Sequence, residues 1–115
     1  MFYCFKIIKM LEITSPITGE RLRVAENDFE EILDWFQAKS ACGELGNGWR
    51  LPTRSELELM YKDLHKKGNG NFKESPYWSS TEDGGDYAWY FSFDNGYAGS
   101  RLKDNTHYVR AVRAL

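Results

Sequence analysis

The sequence predicts an α+β domain, with strands at both ends of the chain and two helices between them. Three observations lead there. Residues 77 to 97 hold four of the seven Tyr and two of the four Trp, in runs broken by Gly, Asp and Asn, as suits aromatic strands joined by tight loops. Two stretches between residues 28 and 64 carry apolar residues at helical spacing. Asp94-Asn95-Gly96 is a strong hairpin signal, because Asn and Gly accept the positive φ of tight turns.

From the N-terminus, residues 2 to 13 are rich in Phe, Tyr, Ile and Leu and read as a strand. Ser15 to Glu20 carries turn residues, and Arg21 to Ala25, with Leu22 and Val24 alternating, completes an N-terminal hairpin. Asn27 or Asp28 then caps a first helix, with Glu30 and Glu31 in its first turn and an inward stripe of Phe29, Ile32, Leu33, Phe36, Ala41 and Leu45 ending at Gly46. Thr53-Arg-Ser-Glu56 has the form of a capping box that starts a second helix. Its buried face is Leu57, Met60, Tyr61 and Leu64, and Gly68 ends it. A polar loop, 68 to 76, leads into the aromatic strands. Tyr97 to Lys103 is the return strand of the hairpin, Asp104-Asn105 a turn, and His107 to Ala114 the last strand.

At 115 residues the chain makes one domain spanning residues 1–115, large enough to bury a core and too small to divide. Burial of Trp49, Trp78 and Trp89 is expected to supply much of that core. A net charge of -2 gives no broad attraction for nucleic acid or an anionic membrane, so neither is an expected partner. No run approaches the ~18 apolar residues of a membrane span. The opening MFYCFKIIKMLEI lacks a basic n-region and a cleavage site, so a secretory signal is not expected. The default location is cytoplasmic, unless the domain forms part of a virion or cell-surface assembly. Cys4 and Cys42 have no metal-ligand spacing and read as two buried thiols rather than a bridge.

Four motifs occur in order: Ala41 to Leu57 (ACGELGNGWRLPTRSEL), Tyr77 to Glu82 (YWSSTE), Ala88 to Phe93 (AWYFSF) and Tyr108 to Arg113 (YVRAVR). This combination, over roughly residues 17 to 115, resembles the bacterial and phage domain family DUF1566, whose fold is similar to that of C-type lectins and the formylglycine-generating-enzyme superfamily. The resemblance implies a C-type-lectin-like α+β fold, with two helices flanking a twisted antiparallel sheet and the termini paired. The chain's N-terminus would then lie beside the C-terminal strand around Val109 to Val112.

The tail from Tyr77 to Leu115 also resembles the variable regions of proteins diversified by retroelements, in which a reverse transcriptase randomises template adenines between fixed frame residues. The interleaved positions hold Asp, Gly, Tyr, Ser, Arg, Leu and His, each reachable from an Asn codon by changing adenines. Residues 77–115 are therefore the candidate variable, ligand-binding region. The expected ligand-binding residues are Asp86, Tyr87, Tyr90, Ser92, Asp94, Asn95, Tyr97, Ser100, Arg101, Asn105 and His107. Tyr there supplies contact area at low entropy cost, and Ser, Gly and Asn supply adaptable hydrogen bonds, as in antibody loops. The expected function is a non-enzymatic module binding a protein or a glycan. The alternatives are an enzyme of the formylglycine-generating type and a structural or oligomerisation domain.

Other chemistry is weaker. The formylglycine-generating relatives use a pair of C-terminal cysteines, and no Cys follows Cys42, so no enzyme is expected. Ser79 or Ser80 with His107 and Asp94 supplies the residue types of a triad, without a nucleophile-elbow motif. The lectin resemblance raises calcium, and Asp83, Asp86, Asp94 and Asn95 carry suitable oxygens. The Glu-Pro-Asn, Gln-Pro-Asp and Trp-Asn-Asp motifs of calcium-dependent lectins are missing, however, so no metal and no cofactor is expected. Arg50, Arg110 and Arg113 read as donors to loop carbonyls, with five N–H groups each. Glu56 belongs to its capping box, and Glu82 is expected to hold a loop.

Overall fold

Sequence-distant segments build one sheet, and the aromatic tail builds the other. The computed structural model describes residues 11–115. The first sheet has the order β1-β2-β6, formed by β1 (Leu11–Thr14), β2 (Arg21–Val24) and β6 (Val112–Ala114). The second has the order β3-β4-β5, formed by β3 (Pro76–Glu82), β4 (Tyr87–Ser92) and β5 (Ala98–Leu102). All pairings are antiparallel. Between the sheets in sequence come α1 (Trp35–Glu44) and α2 (Arg54–Asp63). The α+β class, the N-terminal hairpin and both helices are therefore present.

The expected pairing of the chain's N-terminus with Val109 to Val112 falls outside the described residues, as do residues 2 to 10 of the expected first strand. It is β2, the second strand of the hairpin, that pairs with the C-terminal strand, Leu22 opposite Ala114 and Val24 opposite Val112. Residues 107 to 111 do not continue that strand. They run instead beside residues 25 to 33: the Ala25 and Phe29 amides donate to the Ala111 and Val109 carbonyls, and Leu33 and His107 exchange both main-chain bonds.

This seam explains why α1 begins six residues later than the Asp28 cap predicts. Asp28 does not cap a helix. Its carboxylate accepts from Arg110 Nε at 2.8 Å and from the Tyr77 hydroxyl at 2.7 Å. The cap is Asp34, in a capping box with Gln37. The helix consequently buries Trp35, Ala38 and Cys42, whereas Ile32, Phe36 and Leu45 of the expected stripe are exposed. The second helix matches its signals: Thr53 and Glu56 close the box, Leu57, Met60 and Leu64 are buried, Tyr61 is partly buried, and Gly68 ends the helical run in the left-handed region.

The β3-β4-β5 sheet separates two apolar clusters, because strand side chains alternate between faces. Tyr77 and Phe91 stand opposite each other and, with Phe93, pack against Leu57, Met60, Leu64 and Phe72 and the first sheet. Trp78 and Tyr90, also opposed, face the other way, toward Trp35, Ala38, Cys42, Val109 and Ala111. Trp78 is fully buried, but Trp49 and Trp89 are only partly so, and Trp35 is the second deeply buried tryptophan. Trp35 and Trp78 each donate their indole N–H to a main-chain carbonyl, of Ser79 and Leu33 respectively, at 2.9 Å. Cys42 is a buried thiol whose pKa burial raises to about 12; Cys4 lies outside the described residues.

Candidate binding face

The predicted ligand-binding residues fall on β4, on β5, on the turn between them and on the loop that follows, with Asp86 in the loop just before β4. The turn works as its sequence implies. Gly96 sits at φ +76°, and a Cβ there would lie 2.9 Å from the Tyr61 ring, so both backbone and space require glycine. The Asn95 side chain accepts from the Tyr97 amide at 3.1 Å, leaving Tyr97 72% exposed. Asp94 and Asn95 are exposed beside it, and Asp86, Tyr87, Arg101 and Asn105 are exposed at the far end.

The other residues split between the two faces of the hairpin. Tyr90 lies across Gly99, where a Cβ would come within 2.5 Å of the tyrosine hydroxyl. It is flanked by His107, stacked at 5.5 Å, and by the Arg101 guanidinium at 5.1 Å. His107 also meets the Trp78 ring edge-on at 4.6 Å, and its Nε2 is buried without a hydrogen-bond partner among the described residues. Burial, with a smaller contribution from Arg101, holds its pKa below the usual histidine value. Ser100 stands on the opposite face, across from Trp89. Ser92 is buried, 7% exposed, with its hydroxyl accepting from the Asp94 amide, so it supports the turn from beneath and is not displayed.

The Asp83–Asp86 loop is held by a lysine. Lys103, itself buried, donates from Nζ to the Gly85 carbonyl at 2.8 Å and lies 3.9 Å from Glu82. The same ammonium sits 4.4 Å from the centre of the Trp35 ring, a cation–π contact. Glu82 thus takes part in fixing this loop. Among the described residues no three His, Cys, Asp or Glu side chains converge as a metal site would require. The Ser79 hydroxyl donates to the Trp89 carbonyl at 2.6 Å and accepts from the Thr81 amide.

The arginines of the frame behave unequally. Arg110 is fully buried and donates to Asp28 and to the carbonyls of Ala25 and Asn71, as expected of a loop-fixing arginine. Arg50 makes a two-pronged pair with Glu56 at 2.7 and 2.8 Å, which strengthens the carboxylate already serving the α2 cap. That pairing and the capping bonds outweigh burial and hold the Glu56 pKa low. Among the described residues Arg113 donates only to the adjacent Ala114 carbonyl. A cleft of about 280 Å³ beside Asp28, Asn71, Lys73 and Tyr108 lies along the seam, away from the predicted residues.

The motifs that position these groups carry a family signature. A profile of the Lcl C-terminal domain matches residues 16–113. The chain belongs to the Lcl C-terminal domain family. This is a DUF1566-like bacterial family, and the match covers everything from the N-terminal turn to β6. No curated protein matches the chain. Among the described residues of this Lcl C-terminal domain, no helix is long and apolar enough to cross a membrane. Two residues beside the face escaped the sequence reading. Trp89 looked like core because it alternates with Phe91 and Phe93, yet it is half-covered, with the Arg54 guanidinium 4.4 Å above its ring. Nothing local links Arg54 to Trp89, so only the packing of α2 on β4 reveals the pair.

Proposed function

We propose that this domain is a non-enzymatic binding module, a retroelement-diversified variable protein on a C-type-lectin-like frame. It presents its polar, Tyr-rich hairpin to a protein or glycan ligand. The observation that carries the reading is how burial sorts the tail. Tyr77, Trp78, Ser79, Ala88, Phe91, Phe93, Lys103, Val109, Arg110, Ala111 and Val112 are buried, while the interleaved Asp86, Tyr87, Asp94, Asn95, Tyr97, Arg101 and Asn105 are exposed; of the other predicted residues Tyr90, Ser100 and His107 are partly buried and Ser92 is buried. A surface whose composition can change without touching the core is what diversification requires, and exposed positions tolerate substitution best. The β2–β6 pairing, which joins the N-terminal hairpin to the C-terminal strand, supports the lectin-like frame.

Tyr87 and Tyr97 are the expected anchors, since hot spots favour aromatic residues. The test is binding of labelled domain to a glycan array and to bacterial and host cell surfaces. It compares the natural sequence with a Tyr87→Ala, Asn95→Ala, Tyr97→Ala, Ser100→Ala variant. Binding that the folded variant loses supports the displayed face. Binding that it retains in full places the ligand elsewhere. The retroelement part is tested separately, by sequencing beside the gene for a reverse transcriptase and a near-copy of the 3′ end differing at adenines.

A further inference from the structure

One strip of the surface carries hydrogen-bond donors with no partner among the described residues. On the α2 face of the β3-β4-β5 sheet, Tyr61 covers Phe91, but Trp89 is covered by the Arg54 guanidinium. Arg54 has no carboxylate partner among the described residues; Glu58, one turn along, pairs with Lys62 at 3.2 Å. Ser100 stands directly across from Trp89, and its hydroxyl is buried without a partner among the described residues. An unmet buried hydroxyl is costly enough that most native ones are satisfied.

The strand register adds main-chain donors. Ser92 donates to the Tyr97 carbonyl and Lys103 to the Asp86 carbonyl. In an antiparallel ladder that parity turns the amides of Ala98, Ser100 and Leu102 away from β4, toward the open edge. Two of the three outward carbonyls are occupied: that of Ser100 accepts from Arg101 at 3.0 Å, and that of Leu102 from the Asn105 amide at 3.0 Å. Among the described residues, what remains open on this edge is dominated by donors.

We propose that this strip, comprising Arg54, Trp89, Ser100 and the outward edge of β5, binds an extended acidic segment of a partner protein. One carboxylate of the segment seats on Arg54. A guanidinium laid over an indole keeps its in-plane N–H fork available, and that fork matches the two oxygens of a carboxylate. The outward amides recur every second residue, the period of a strand, so an extended peptide meets them in register. Tyr87 and Leu102, opposed across the strands and both exposed, offer apolar contact to side chains alternating with the acidic ones. Asp86, one residue before Tyr87, falls on the other face of the sheet by the same alternation and does not oppose the carboxylate.

The inference rests on the binding-module reading and names the chemistry of its partner. The probe is the peptide acetyl-Val-Glu-Val-Glu-Val-amide, with its Gln-for-Glu twin as control. The readout is the shift of the Trp89 indole and Arg54 Nε–H signals in nitrogen-15 correlation spectra. The Glu peptide should shift both signals saturably and the Gln peptide should not. Arg54→Gln should weaken binding by roughly tenfold or more, as loss of a charge-assisted pair implies, and Ser100→Ala should weaken it less. Equal binding of the two peptides, or no effect of a folded Arg54→Gln variant, overturns the proposal. So does a Trp89 shift that follows protein concentration without peptide, because a second copy would then occupy the strip. If the peptide fails while cell or glycan binding still depends on Tyr87 and Tyr97, only the acidic-segment proposal falls.

Discussion

The seam beside Arg110 and the outer strands of the aromatic sheet use the same residue types to opposite ends. At the seam Tyr77, Asp28 and Arg110 form a closed set. The tyrosine hydroxyl donates to the carboxylate and accepts from the Lys73 amide, and Arg110 Nε meets the other carboxylate oxygen while its remaining nitrogens reach two carbonyls. On β4 and β5, Tyr87, Tyr97, Asp94 and Arg101 stand in solvent, and the buried Ser100 hydroxyl and His107 Nε2 have no partner among the described residues. Polar residues at the seam define the fold, whereas those on the hairpin leave it unchanged and remain available to something else. The comparison predicts where substitution hurts.

The largest effect belongs to the seam. Arg110→Ala or Asp28→Ala should cost about 3–5 kcal/mol, because removing one partner strands a buried charge. Urea denaturation of the two single variants and the double variant checks this. Strong non-additivity is expected, since the second deletion removes the charge that the first left unpaired. If each single variant loses under ~1 kcal/mol, well below that range, the seam is no more constrained than the hairpin.

Next come the two strand tryptophans. Trp78→Ala should cost about 3–5 kcal/mol, the range for truncating a buried large aromatic. Trp89→Ala should cost clearly less, because that ring is only partly buried and lies beneath the Arg54 guanidinium. Equal losses in thermal melts would mean that Trp89 belongs to the core after all.

These pairs also mark how far the sequence could be read. The second helix was legible because Thr53 and Glu56 signal it within four residues. The start of the first was not, because Asp28 has the form of a cap but is claimed by Arg110, 82 residues away. No local pattern carries that information. Asp34 and Gln37, which do cap the helix, form a weaker version of the same box. On the candidate face, the variable-region resemblance implies display of Tyr87 and Tyr97 as interleaved positions, and both are exposed. Burial of Ser92 was not legible, because the side of a strand on which a serine lies depends on what packs against it.

A smaller effect concerns pH. Burial favours the neutral His107 ring in the folded state and lowers its pKa from the unperturbed 6.5. A depressed folded pKa means that folding favours the unprotonated ring. Its contribution is in full above the unfolded value and is lost as pH falls from there through the folded value. Stability of the natural sequence should therefore decline between pH 7 and pH 5 more steeply than that of His107→Gln, by up to one proton of slope. Parallel stability profiles for the two proteins would place the ring in water.

The smallest effects should come from the displayed residues. Tyr87, Asn95 and Tyr97 are exposed, so each alanine substitution should change stability by less than ~1 kcal/mol. Asn95 is the most sensitive of the three, because its side chain holds the Tyr97 amide. Ser100 differs in kind: alanine there removes a buried hydroxyl that has no partner, which should be neutral or mildly stabilising because no hydrogen bond is lost. The combined variant of all four should keep a cooperative thermal transition close to that of the natural sequence, the opposite of the seam variants. Collapse of that transition would mean that the hairpin side chains support the fold as the seam does. The physical basis for a displayed, exchangeable face would then be gone.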